Sequence, residues 1–148
     1  MIYGRGEIID MKEPVLSIPL PQELLELLRR PSPCFIATLM PDGSPQLTQT
    51  WVTTDGEHIV INTPDWTQKV KNVARDARVA VNVVDPDDIS RYFAVRGRVI
   101  STTTEGGAES IDAISQKYLG TDYPNFSGRT ETRTLLTIAA DSVNSPRG

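Results

Sequence analysis

Thr63, Thr67, Gln68 and Lys69 lie on one strand-to-helix corner, Ile61-Asn62-Thr63-Pro64-Asp65-Trp66-Thr67-Gln68-Lys69-Val70-Lys71-Asn72. The spacing predicts a helix start with Thr63 as N-cap, Pro64 in the first position and Asp65 in the first turn. A helix N-terminus carries unpaired amides and about half a positive charge, so it is a ready anion site. Two hydroxyls, an amide and a lysine there would hold a phosphate without a glycine-rich loop. In the plainer reading Thr63 only caps the helix, and Lys69 and Lys71 form its solvated face. From spacing alone the plainer reading weighs more.

A second cluster, Arg91, Tyr92, Phe93, Arg96 and Arg98, falls on one beta-prone run. Alternation places Tyr92, Ala94, Arg96 and Arg98 on one face and Phe93 and Val95 on the other. Other reactive types are scarce. The chain has one histidine, His58, and one cysteine, Cys34. It therefore has no internal disulfide and no Cys/His zinc site within one subunit. His58 reads as a satisfied strand residue and Cys34 as core. Asp85, Asp87 and Asp88 make a turn that lacks the central glycine of a calcium loop. Trp51 either platforms a ring or fills the core, whereas Trp66, in a polar turn, is expected at a pocket or interface. No catalytic side chain and no metal ligand set is assigned.

The elements that must position these residues are short. Pro21 to Arg30 reads as a helix with Leu24, Leu25 and Leu28 on one face, stopped by Pro31 and Pro33. Strands are expected at Cys34–Met40, Gln46–Thr53 and His58–Thr63, joined by the Pro41-Asp42-Gly43 and Asp55-Gly56 turns into a three-stranded meander. Val70, Val73 and Ala74 mark the apolar face of the corner helix. Further strands follow at Arg78–Val84 and Tyr92–Ile100. A helix runs from Ala108 to Leu119 with Gly120 at its C′ position. A polar loop, Thr121 to Thr130, leads to a last strand, Thr132–Ile138. Six strands, mostly hairpin-connected, with three short helices predict a small, mainly β barrel.

The 148 residues carry a net charge of −4, with 39% hydrophobic and 23% charged residues. That is one soluble domain of ordinary size. It divides into an arm at 1–20, a domain at 21–143 and a tail at 144–148. The acidic balance disfavours nonspecific nucleic-acid binding. No apolar run approaches the ~18 residues of a membrane span. With a lone thiol and no secretory pattern at its start, the chain is expected in the cytoplasm.

Four segments carry a resemblance when taken in order. They are Phe35 to Gln46, Ile61-Asn62-Thr63, Gln68 to Val79, and Tyr92-Phe93-Ala94-Val95-Arg96-Gly97-Arg98. Together they resemble the pyridoxamine-phosphate-oxidase-like split-barrel flavoproteins. They are closest to the actinobacterial branch that uses the deazaflavin coenzyme F420. Asp112 to Gly120 and the pair Tyr123-Pro124 are similar to that branch as well.

The resemblance implies a six-stranded antiparallel split β-barrel, a homodimer with its cofactor groove at the subunit interface. It implies a phosphate-bearing tail held by Asn62, Thr63, Thr67, Gln68 and Lys69, and a ring lying against Gln49, Thr50, Trp51 and Val52. The second subunit would contribute Arg91, Tyr92 and Arg96. The implied activity is an F420-dependent oxidoreductase passing hydride to a quinone-like or enone-like small molecule. An FMN-dependent oxidase or reductase and a non-catalytic cofactor-binding protein are the alternatives. The substrate would meet the N-terminal arm and the Thr121–Thr130 loop. One departure stands out. Many relatives carry Arg-x-Lys at the corner, and Thr67-Gln68-Lys69 lacks that arginine. Lys71 or an arginine from elsewhere is left to compensate.

Overall fold

The computed structural model describes residues 17–146. Of the arm expected at 1–20, residues 1–16 lie outside the described part, as do the last two residues of the tail. Residues 17–20 are tied to the body of the domain. The Ile18 amide donates to the Ala140 carbonyl at 3.0 Å and Leu20 is buried.

The chain runs α1 (Gln22–Leu28), β1 (Cys34–Leu39), β2 (Pro45–Thr50), β3 (Thr53–Thr54), β4 (Ile59–Pro64), α2 (Gln68–Arg75), β5 (Arg78–Asp85), β6 (Asp88–Thr103), α3 (Gly107–Leu119) and β7 (Arg133–Asn144). Seven strands form one antiparallel sheet in the order β2-β1-β5-β6-β7-β4-β3. The two ends of that order, β2 and β3, are separated in the chain by Trp51 and Val52 alone. Three Cα steps span at most about 11 Å. The edges must therefore approach each other, and the sheet curls into a split barrel.

The single strand expected over 46–53 is thus two strands. The expected meander is corrected: β4 pairs with β3 and β7, not with β2. Local pattern could not show this, because Gln46–Thr53 keeps its strand propensity while the chain passes from one sheet edge to the other.

Alternation builds the core. Cys34 and Ile36 of β1, Val79, Val81 and Val83 of β5, Phe93 and Val95 of β6, and Leu136 and Ile138 of β7 are all buried. Burial pushes the Cys34 thiol up to about 12, which suits a packing residue. α1 buries Leu24, Leu27 and Leu28. α3 ends as expected, with Gly120 at φ 78° and its amide on the Gln116 carbonyl.

α2 starts later than expected. Thr63 and Pro64 belong to β4, opposite Thr134 and Arg133, and Thr67 precedes the first helical residue. The proline's fixed φ serves a strand end as well as a first helical turn. α2 buries Val73 and Asn72 and leaves Ala74 exposed. Asn72 Nδ2 donates to Thr38 Oγ1 at 2.9 Å, so the buried amide is paired rather than orphaned.

No strand pairing crosses the seam at Trp51–Val52, so its backbone finds partners on α3. The Val52 amide donates to Tyr118 Oη at 3.2 Å. The Val52 carbonyl accepts from Lys117 Nζ at 2.5 Å, and the same ammonium donates to the Leu28 carbonyl at 2.6 Å. Tyr118 Oη donates onward to the Ser32 carbonyl at 2.6 Å. Two adjacent side chains thus fasten the seam to the end of α1.

Burial lowers Lys117 from its ordinary 10.5 to about 8. Between those values the unfolded chain holds the extra proton, so the Lys117 contribution to stability rises with pH through the window. The buried Cys34 thiol acts in the opposite direction above its ordinary 9.0. A comparison of wild type with Lys117→Met cancels the effect of Cys34 burial, the larger cause of its shift, which both proteins share. The wild-type-minus-variant difference in urea unfolding free energy is expected to grow from pH 8 to pH 10. A flat difference would contradict a lysine buried at this seam.

Candidate functional site

A cavity of about 900 Å³ opens beside the seam. It is bounded by the end of β2, the β4–α2 corner, the start of β7, α3 and the loop after α3. Its volume is in the range of small-molecule and cofactor sites.

Part of the lining is aromatic. Trp51 stacks on Tyr118 with ring centroids 5.1 Å apart and planes 9° from parallel. Tyr123 and Phe126 meet Trp51 edge-on at 6.4 and 6.2 Å. The Lys117 ammonium lies 4.9 Å from the Tyr118 centroid, on a ring already engaged with Trp51. Outside the cavity, the Arg129 guanidinium of the same loop sits 4.0 Å from the Trp66 ring centroid, and neither residue lines the cavity.

The rest of the lining is mostly polar. Thr63 Oγ1 and Thr67 Oγ1 are 3.2 Å apart, and Lys69 stands beside them on the wall. Among the described residues Lys69 has no carboxylate partner. Its ammonium is pulled below the ordinary lysine range by burial and, secondarily, by the charge of Arg133. The start of α2 adds its partial positive charge at the same place.

Arg133 is 8% exposed and heavily engaged. Nε donates to Asn62 Oδ1 at 2.7 Å, Nη2 to the Asn62 carbonyl at 3.3 Å, and Nη1 to Glu131 Oε1 at 2.6 Å. Nη1 also reaches Tyr123 Oη at 3.4 Å. The Glu131 side chain is 5% exposed. Burial pushes its carboxyl up, but hydrogen bonds from Ser127, Arg133 and Tyr123 prevail and hold it below the usual carboxylate range. Tyr123 is pushed up by burial and by its bond to Glu131.

Seven of the residues singled out in the sequence meet on this wall: Gln49, Thr50, Trp51, Asn62, Thr63, Thr67 and Lys69. Five do not. Val52 is fully buried, because alternation turns it away from Trp51 into the core. Gln68 Nε2 donates to Asn72 Oδ1 at 2.9 Å along its own helix. Arg91 pairs with Asp85 at 2.9 Å and Glu23 at 3.6 Å. Tyr92 and Arg96 share a face of β6 that this cavity does not touch. His58 Nδ1 is 2.9 Å from Asp55 Oδ2 in its turn, away from the cavity. Among the described residues no cluster of His, Cys, Asp and Glu has the makings of a metal site.

Sequence reasoning missed Tyr118, Glu131 and Arg133. The signal for the last two was present: threonines at 130, 132 and 134 alternate with them, which puts Glu131 and Arg133 on one face.

The curled antiparallel sheet with this cavity at its seam is a split barrel of the flavin-binding kind. The sequence profile of the pyridoxamine 5'-phosphate oxidase family matches residues 20–145, and the chain belongs to that family. An F420 reductase of known structure is 26% identical, over 84% of this chain and 98% of that one, with a TM-score of 0.70. Two further structures share the fold. A conserved hypothetical protein from Mycobacterium tuberculosis is 23% identical over 90% of this chain and 88% of its own, with a TM-score of 0.65. HupZ of Group A Streptococcus is 16% identical over 87% and 95%, with a TM-score of 0.62. No curated protein matches the sequence.

Gly107 holds α3 against this wall. Its carbonyl accepts from Asn62 Nδ2 at 2.9 Å, and a Cβ there would lie 2.3 Å from the Arg133 carbonyl oxygen. Gly107→Ala must therefore force α3 and β7 apart. The expected loss is about 1–3 kcal/mol of stability in urea unfolding. An unchanged midpoint would show that the two elements are free to separate.

Proposed function

We propose that the chain is a coenzyme F420-dependent reductase that passes hydride from the reduced deazaflavin to a quinone-like or enone-like small molecule. The observation that carries this reading is the mixed chemistry of the cavity lining. Aromatic rings share it with a half-buried lysine that lies among hydroxyls and has no carboxylate partner among the described residues. A flat ring with a phosphate-bearing tail needs both. The donor set fits such a group: Thr63 and Thr67 offer neutral donors, Lys69 a charge, and Gln49, Thr50 and Trp51 a wall for the ring. The family's flavin-binding fold supports a flavin-like ring, and the F420 reductase at 26% identity supports the deazaflavin among such rings.

The chain's own residues would bind, orient and exclude water; none is asked to form a covalent bond. Trp51, Tyr118, Tyr123 and Phe126 form a low-dielectric wall where ring contact sets the geometry of transfer. Homodimerisation, with Arg91, Tyr92 and Arg96 reaching the other subunit's groove, belongs to the same reading. Apolar surface on the sheet supports it: Leu47 of β2 is 68% exposed, and Phe35 and Ala37 of β1 and Ala94 of β6 are only half-buried. A cytoplasmic location is proposed on the single thiol. No described helix is long and apolar enough to cross a membrane.

The test is a fluorescence titration of protein purified from a host lacking the deazaflavin. Coenzyme F420 is expected to bind at micromolar concentration or below, and more tightly than FMN. Lys69→Ala is expected to weaken it about tenfold, as the loss of a charge-assisted bond would. Equal affinity in that variant would remove the phosphate assignment. Tighter binding of FMN, with a yellow protein as isolated, would favour the FMN enzyme.

A further inference from the structure

We propose that Arg133 of β7 supplies the second cation of the phosphate subsite, in the role of the arginine that the Thr67-Gln68-Lys69 corner lacks. The inference rests on the phosphate placement above and adds a residue from a different strand. Four observations carry it.

The first is position. Arg133 pairs with Pro64 in the β4–β7 ladder, one residue from Thr63. Its side chain lines the same cavity as Thr63, Thr67 and Lys69. The second is the elimination of the other cations of the corner. Lys71 is exposed on α2, Arg75 donates to the Leu39 carbonyl and Asn72, and neither they nor Arg129 line the cavity. The third is donor arithmetic. A guanidinium has five N–H donors. Asn62, Glu131 and Tyr123 take up Nε, both Nη1 hydrogens and one on Nη2. One Nη2 hydrogen has no acceptor among the described residues.

The fourth is electrostatic. Lys69 and Arg133 are like charges in one half-buried wall, and the field of Arg133 already disfavours the Lys69 ammonium. Glu131 offsets only the Arg133 side. Like charges held together at partial burial are costly, and an anion between them relieves the cost. Glu131 and Asn62 then act as positioning residues: they hold the guanidinium plane fixed, so that little side-chain entropy is lost when an anion arrives.

The experiment compares each phosphate-bearing probe with its phosphate-free parent: FMN with riboflavin, and coenzyme F420 with the deazaflavin chromophore alone. Equilibrium affinity is read by fluorescence at several salt concentrations, and folding is checked by circular dichroism. The variants are Lys69→Ala, Glu131→Gln, and the paired change Glu131→Gln with Arg133→Gln, which leaves no orphaned charge. The paired variant is expected to weaken the phosphate-bearing probes about tenfold and leave the parents unchanged. Glu131→Gln alone unmasks the guanidinium, so it is expected to tighten those probes severalfold and steepen their salt dependence. Unchanged preference for phosphate in both Glu131→Gln and the paired variant, with Lys69→Ala still weakening it, overturns the role of Arg133 and leaves the phosphate placement standing. A wild type that binds FMN no better than riboflavin, and F420 no better than its chromophore, overturns both.

Discussion

The hold of α3 on Val52 is the constraint from which the site follows. A sheet whose two edges are joined by two residues cannot stay flat, yet its edges do not pair with each other there. Backbone groups left without partners in an interior cost about 1–3 kcal/mol each. Lys117 and Tyr118 supply those partners from 65 and 66 residues away and tie the same point to the end of α1. Without them the seam would have to take its bonds from water. Trp51 would then lose the ring on which it stacks.

The aromatic and polar parts of the lining inherit different physics from that closure. Rings from the seam, from α3 and from the loop after it meet in stacked and edge-on pairs, an arrangement that favours a flat apolar guest. Among the polar groups, strand β7 brings a buried arginine toward a lysine on α2. Glu131 keeps the arginine from being an unpaired buried charge, a state that costs far more than the pair itself contributes. The same carboxylate also weakens the pull of the site on an anion. The cavity is balanced between stability of the empty protein and affinity for a charged tail.

Much of this was legible locally. Alternation, the Asp-Gly turns, the prolines flanking α1 and Gly120 closing α3 all follow from short-range sterics and were readable in order. The corner was legible too, although Thr63 and Pro64 turned out to finish a strand. β-branched threonine and a proline with fixed φ are compatible with both states, and only the ladder to β7 decides between them. Seven of the twelve residues marked for binding share one wall because they lie on two short segments that the sheet closure brings together.

What the sequence by itself determined was therefore the class of fold, most of its strands and helices, the sparse inventory of reactive side chains, and the family that these imply. What only the tertiary structure decided was who meets whom. Val52 finds Lys117, Asn62 finds Arg133 across 71 residues, and Lys69 feels the charge of Arg133. The reason is physical. Dihedral preference and side-chain period act over a few residues, whereas the closure of a curled sheet and the pairing of a buried charge depend on the whole chain at once.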